Sequence, residues 1–137
     1  MKNQEKEFDW AIHYIANDVA CDHCGDVENP YPQYMCNAHT HGMERYGHLE
    51  FQVVLDMGPE MIGYLLNAMG RKVQNGEKFK SGDVISGLFE DCTVKLVEVK
   101  DSDRRVLRLI IPDSNNRFPG DEGCAPPYNK QLSFLIK

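Results

Sequence analysis

The chain has 137 residues, of which 42% are hydrophobic and 26% charged, and its net charge at pH 7 is −6. These proportions are typical of one soluble globular domain over residues 1–137, and no apolar run approaches the about 18 residues of a membrane-spanning helix. The acidic balance disfavours binding to nucleic acid or to anionic membranes. A polar start without a signal-peptide core and an odd number of cysteines, five, predict a cytoplasmic protein.

The first predicted element is an amphipathic helix over about residues 6 to 20. Its apolar residues recur at the spacing of one helix face: Phe8, Ala11, Ile12, Ile15, Ala16 and Val19. Gly25 would end this helix soon after residue 20, and Pro30 and Pro32 then require a loop.

Two strands and a helix are predicted next. The strands cover residues 33 to 41 and 51 to 57, and a glycine-punctuated turn from Gly42 to Gly47 separates them. Pro59 is placed well for the first turn of a helix with a clear apolar stripe, which Asn75-Gly76 would end.

The last third of the chain predicts a β-hairpin with strands at 92–99 and 104–111, a long loop over 113–127 and a final strand near 131–136. Taken together, the elements predict a small α+β domain. We expect an antiparallel sheet, an N-terminal helix and one central amphipathic helix.

Cysteine and histidine concentrate between positions 21 and 48. Cys21, Cys24, Cys36 and His39 follow the spacing C-x2-C-x11-C-x2-H. Thiolate and imidazole are ligands that zinc prefers, and four of them complete a closed structural site. The spacing therefore predicts a structural zinc ion held by these four residues.

A second ligand set competes for His39. On a strand, His39 and His41 face the same side about 7 Å apart, and His48 could complete a three-histidine site with an open position. Open sites are typical of catalytic metals, so this set predicts a metal-dependent hydrolase with Glu50 or Asp121 as general base. A metal-free interaction domain is the third interpretation.

The run from Thr40 to Glu50 carries a family resemblance, as does the later stretch Pro112-Asp113 with Arg117-Phe118-Pro119-Gly120-Asp121. Both are similar to signatures of the bacterial domain-of-unknown-function family 4262, over about residues 34 to 128. Leu49 stands where the family typically has proline, and Gly120 where it has tryptophan. The resemblance implies that His48, Glu50 and Asp121 belong to a common site and that the Cys21/Cys24 segment is a local addition.

The leading interpretation is a cytoplasmic domain with one structural zinc ion. Its role would be to bind a ligand or a protein partner near the turn from Gly42 to His48 and the loop over residues 112 to 124.

Overall fold

The computed structural model describes residues 9–15, 34–101 and 104–132. Within them, six strands form one sheet in the order β1-β2-β3-β6-β5-β4. The strands are β1 (Ala11–Ile15), β2 (Met35–His41), β3 (Glu50–Leu55), β4 (Val84–Ile85), β5 (Val94–Asp101) and β6 (Arg104–Ile110). One helix, α1 (Pro59–Gln74), and two 3-10 turns, Met43–Tyr46 and Tyr128–Lys130, complete the described elements.

The sheet is mixed, so the domain is α+β but the prediction of a purely antiparallel sheet is wrong. β3 and β6 run parallel at the centre, while the other neighbouring strands run antiparallel. The chain leaves β3 through α1 and returns by the β5–β6 hairpin, which brings β6 beside β3 in the same direction. Side-chain alternation along a strand does not depend on the direction of its neighbour.

The predicted N-terminal helix is also wrong, because residues 11–15 form β1. This strand pairs antiparallel with β2. Ile12 and Tyr14 pack against the core, and Trp10 is part of it, so the apolar period is two rather than 3.6. The Tyr14 hydroxyl also donates to Asp56 at 2.6 Å. The remainder of the predicted helix lies outside the described residues.

The predicted central strands, the central helix and the hairpin are confirmed with small shifts of their ends. β2, β3, α1 and the β5–β6 hairpin lie where the pattern predicted them. Gln131 and Leu132 form a turn rather than a strand, and the rest of the predicted last strand lies outside the described residues.

The helix α1 packs beside the first three strands of the sheet. Its buried side chains share one core with residues of β3 and β5: Ile62, Leu65, Leu66, Met69 and Val73 on the helix, Phe51 and Val53 on β3, and Leu96 on β5. Trp10 joins this core and donates from Nε1 to Asn67 Oδ1 at 2.9 Å. In the described part of the chain, no helix is both long enough and apolar enough to cross a membrane.

A row of polar residues crosses the sheet. The register places His13 of β1 opposite His39 of β2, His39 opposite Gln52 of β3, and Gln52 opposite Arg108 of β6. His39, Gln52 and Arg108 are all buried. Residues in register share one face of a sheet, so this row faces away from the apolar residues that alternate with it.

Candidate metal centre

Three histidines meet where β1 pairs with β2. His13 lies directly opposite His39, and His41 follows two residues later on the same face of β2. One nitrogen from each ring lies within 4.8 Å of the others. The ring centroids are 5.3 Å apart for His13 and His39, 4.2 Å for His13 and His41, and 5.0 Å for His39 and His41.

This spacing suits a single metal ion. Bonds of about 2.0–2.1 Å to a tetrahedral zinc would place the three nitrogens about 3.3 Å apart. The three nitrogens lie within 4.8 Å of one another, so they would have to come closer together to reach that arrangement. Three imidazoles on one side of an ion leave at least one coordination position open. The group can therefore hold an ion that still binds water or substrate.

A chain of hydrogen bonds determines which nitrogen His39 offers. Arginine can only donate, and Arg108 Nε donates to Gln52 Oε1 at 2.8 Å. The Gln52 amide therefore turns its Nε2 toward Asn37 Oδ1, 3.2 Å away. Asn37 Oδ1 in turn lies 3.1 Å from His39 Nδ1. Since that oxygen can only accept, His39 carries its proton on Nδ1 and keeps the Nε2 lone pair for a metal.

The side chains in this series of hydrogen bonds are buried, and their polar atoms have hydrogen-bond partners. Arg108 Nη1 donates to the Gln131 carbonyl at 2.6 Å, and the Gln131 amide bonds both backbone groups of Ile111. Among the described residues, each buried side-chain nitrogen or oxygen has a partner. Buried amides that reverse their orientation would lose these bonds, so the network holds one arrangement.

Burial and nearby positive charge keep two of the rings neutral. Burial, together with the charges of Arg104, His41 and His13, lowers the pKa of His39 to about 4. Burial, His13 and Arg104 also lower the pKa of His41, while Glu50 and Glu44 oppose the change. A metal ion binds the neutral form of histidine. At neutral pH the ion therefore competes with few protons at these two rings.

The predicted cysteine set is only partly described. Cys21 and Cys24 lie outside the described residues, so the four-ligand zinc site stays a prediction. Cys36 is fully buried on β2, where its thiol donates to the Val53 carbonyl at 3.8 Å. Burial, with a contribution from Asp56, raises the pKa of Cys36 to about 12. The thiolate that zinc requires is therefore disfavoured at Cys36 in the metal-free protein.

His48 lies apart from the three histidines. Its Nδ1 is 2.8 Å from the Leu49 carbonyl, and its Nε2 accepts the backbone N–H of Phe79 at 3.0 Å. Both ring nitrogens are thus used, and the ring packs against Phe51. The structure brings together two of the three histidines in the predicted open site, and His13 takes the third place.

The two candidate bases have structural hydrogen bonds. The Glu50 carboxylate accepts from the Thr40 hydroxyl at 2.7 Å and from the backbone N–H groups of Gly42 and Met43 at 3.1 Å. These bonds hold the turn that follows β2. Asp121 Oδ2 accepts the Phe118 N–H at 2.8 Å, within the loop after β6. Their roles as general bases stay predictions.

The long loop after β6 is ordered around a buried carboxylate. Asp113 Oδ1 accepts the N–H groups of Asn115 and Arg117, and Oδ2 accepts that of Ala125, each at 2.9 Å. The backbone N–H groups of Arg117 and Ala125 are the main reason that the pKa of Asp113 is lowered. Both oxygens of Asp113 therefore fix the loop.

Sequence reasoning missed His13 because it placed this residue on a helix. The signal that could have found it is the alternation Trp10, Ile12, Tyr14, which predicts a strand with His13 on the opposite face. An antiparallel partner carrying His-x-His would then bring the third imidazole within reach.

Comparison with protein families gives one match. Residues 6–125 match the family described as "Domain of unknown function (DUF4262)". The matched region begins well before residue 34 and includes all three histidines of the centre. Comparison with curated proteins and with solved structures gives no significant match.

Proposed function

We propose that this chain, which belongs to the domain-of-unknown-function family DUF4262, binds one divalent transition-metal ion through His13, His39 and His41 and uses it in metal-dependent hydrolysis. The observation that carries the proposal is the convergence of three imidazole nitrogens within 4.8 Å of one another. Zinc is the ion we favour, since three histidines with an open position are a known catalytic arrangement for it.

The surroundings of the three rings support a catalytic centre rather than a closed one. A closed structural site needs a fourth protein ligand, and among the described residues only the three histidines form such a group. The fixed proton on His39 Nδ1 is the arrangement that a ligating Nε2 requires. An open position on zinc would hold a water molecule whose pKa falls to about 7.

The ion itself would supply the nucleophile. Because a zinc-bound water is partly hydroxide near neutral pH, the reaction does not depend on a carboxylate base. This matters here because both oxygens of Glu50 already accept hydrogen bonds from Thr40 and the following turn. Hydrolysis is therefore compatible with a purely structural Glu50.

Metal titration tests the binding step. We expect metal-free protein to take up one zinc or cobalt ion per chain, and His13→Ala and His41→Asn to lose it. His48→Gln, which keeps an acceptor for the Phe79 N–H, and Cys24→Ser are the matched controls and should retain the ion. Loss with Cys24→Ser but not with His13→Ala would instead support the closed cysteine site and overturn this proposal.

Activity measurements test the hydrolytic step. Zinc-loaded protein should hydrolyse an activated ester or phosphodiester, such as p-nitrophenyl acetate or bis(p-nitrophenyl) phosphate, at a rate proportional to bound zinc. His13→Ala should reduce that rate to the background with free zinc. A loaded protein without activity on either compound would argue against hydrolysis and leave the binding site standing.

A further inference from the structure

We infer that the centre takes a substrate carrying an oxyanion, which the metal ion and the Arg104 guanidinium would bind together. The inference rests on the proposed metal site and adds the chemical class of what it binds. Carboxylates and phosphoryl groups share this chemistry, since each offers two oxygens to a pair of positive groups.

The charge of the loaded centre favours an anion. Three imidazoles are neutral ligands, so a divalent ion would keep its full charge of +2 at the open position. The Glu50 carboxylate, at the start of β3, already accepts hydrogen bonds from Thr40, Gly42 and Met43. A site with this charge binds anions in preference to neutral groups of the same shape.

The strand register places Arg104 on the same face as the histidines. Arg104, Val106 and Arg108 alternate along β6 toward one face, and Arg108 lies in the row of His13, His39 and Gln52. β3 runs antiparallel to β2 and parallel to β6. The step from Arg108 to Arg104 along β6 therefore has the same direction as the step from His39 past His41 along β2. Arg104 therefore lies on the face of the histidines, two strands from β2 and beyond the level of His41.

One further observation fits this placement. Among the side chains that the structure describes, ion pairs join Arg45 to Asp9 and Arg105 to Glu98, and neither involves Arg104. An exposed guanidinium beside a cation site raises the energy of the loaded site unless an anion lies between them.

Arg105 provides a matched control. It is the next residue on β6, so its side chain points to the opposite face of the sheet. There it pairs with Glu98 at 2.9 Å. Arg104→Gln and Arg105→Gln remove the same charge from neighbouring positions, but only the first lies on the face of the histidines.

Cobalt-loaded protein gives a direct readout, because the visible absorption of cobalt(II) changes when an anion enters its coordination shell. Acetate and phenylphosphonate are titrated separately, with neutral acetamide as the control for shape. We expect both anions to change the spectrum, acetamide to leave it unchanged, and Arg104→Gln to weaken anion binding about tenfold or more. The anion with the lower dissociation constant indicates whether the site prefers a carboxylate or a phosphoryl group.

The failures are distinguishable. If Arg104→Gln loads cobalt and binds both anions as tightly as Arg105→Gln and the unaltered protein, the role of Arg104 is refuted while the metal site remains. If acetamide competes as well as acetate, the preference for anions is refuted. If the unaltered protein takes up no cobalt, the metal site itself is wrong and the inference falls with it.

Discussion

Arg108 acts at a distance on His39. It is 2% exposed and lies two strands away from His39, and it reaches the ring through the amides of Gln52 and Asn37. Each amide has one orientation that satisfies its neighbours. The guanidinium of Arg108 can only donate, so it fixes the orientation of Gln52 and, through it, that of Asn37. A buried cation thereby determines which nitrogen of a histidine is free to bind a metal.

The tautomer of His39 is the first prediction at this scale. In metal-free protein at pH 7, nitrogen-15 NMR should show His39 protonated on Nδ1 and unprotonated on Nε2. Gln52→Leu should release this preference, because the link from Arg108 to Asn37 is then lost. It should also lower the free energy of unfolding by about 1–3 kcal/mol, since Arg108 Nε is left without that acceptor. His39 protonated on Nε2 in the unaltered protein would contradict the assignment.

Asp113 carries the second residue-scale prediction, which concerns acid stability. Its pKa is lower in the folded chain than in the unfolded chain, so its contribution is complete above the ordinary value of 3.8 and is lost as the pH falls below it. Asp113→Asn should lower the urea midpoint at pH 7 and make stability less dependent on pH in the acid range. Equal pH dependence in both proteins would refute the role of this carboxylate; Asp121→Asn, in the same loop but exposed, is the control.

At the scale of elements, Trp10 sets how closely β1 and α1 approach. A Cβ on Gly70 would lie 2.6 Å from the Trp10 ring, and one on Gly42 would lie 2.9 Å from Trp10 Cβ. These two glycines leave the space that the indole fills. The strand end and the helix are therefore joined through one aromatic ring.

Two alanine substitutions in α1 test this contact. Gly70→Ala should lower the free energy of unfolding by about 1–3 kcal/mol, because the added methyl group overlaps the indole. Gly63→Ala has no atom within 4 Å of its new Cβ and should stabilise the protein by up to about 1 kcal/mol through helix propensity. Denaturant unfolding of both variants measures the difference. Equal stabilisation by both would show that Trp10 does not occupy this space.

Local patterns account for the elements that the sequence predicted. β2, β3, α1 and the β5–β6 hairpin each carry their period and their end signals within a short stretch. β1 carries apolar residues that satisfy both a helical and a strand period, and its pairing with β2 decides between them. The parallel pairing of β3 with β6 depends on the path of the chain through α1 and β5, which no local pattern records.

The candidate site likewise combines residues that a local pattern predicts with residues that only the pairing of strands brings together. His39 and His41 were predicted to converge because residues i and i+2 of one strand share a face. His13 joins them only through the register between two strands, and Arg108 and Gln52 influence them through strands farther still. His48, the third member of the second predicted set, packs with Phe51 and Phe79 instead. Proximity along the chain was a poor guide to proximity across the sheet.

At the scale of the whole molecule, the proposed centre would couple metal binding to the pairing of β1. An ion that binds the folded chain stabilises it by about 2.7 kcal/mol when the free ion is at 100 times its dissociation constant. We expect zinc to slow amide hydrogen exchange in residues 11–15 of the unaltered protein. His13→Ala should abolish this effect, whereas a similar slowing in that variant would show that the ion binds elsewhere.

β1 lies at one edge of the described sheet, and one of its five residues, His13, is a proposed ligand. Edge strands are the elements that copies of a protein exchange most readily, since only one neighbour holds them. An ion shared by His13, His39 and His41 would hold β1 on β2 and slow its release, although the same three ligands would meet again in an exchanged pair. Metal supply would then govern the rate of strand exchange between molecules as well as chemistry within one, and a metal-starved preparation would exchange β1 fastest.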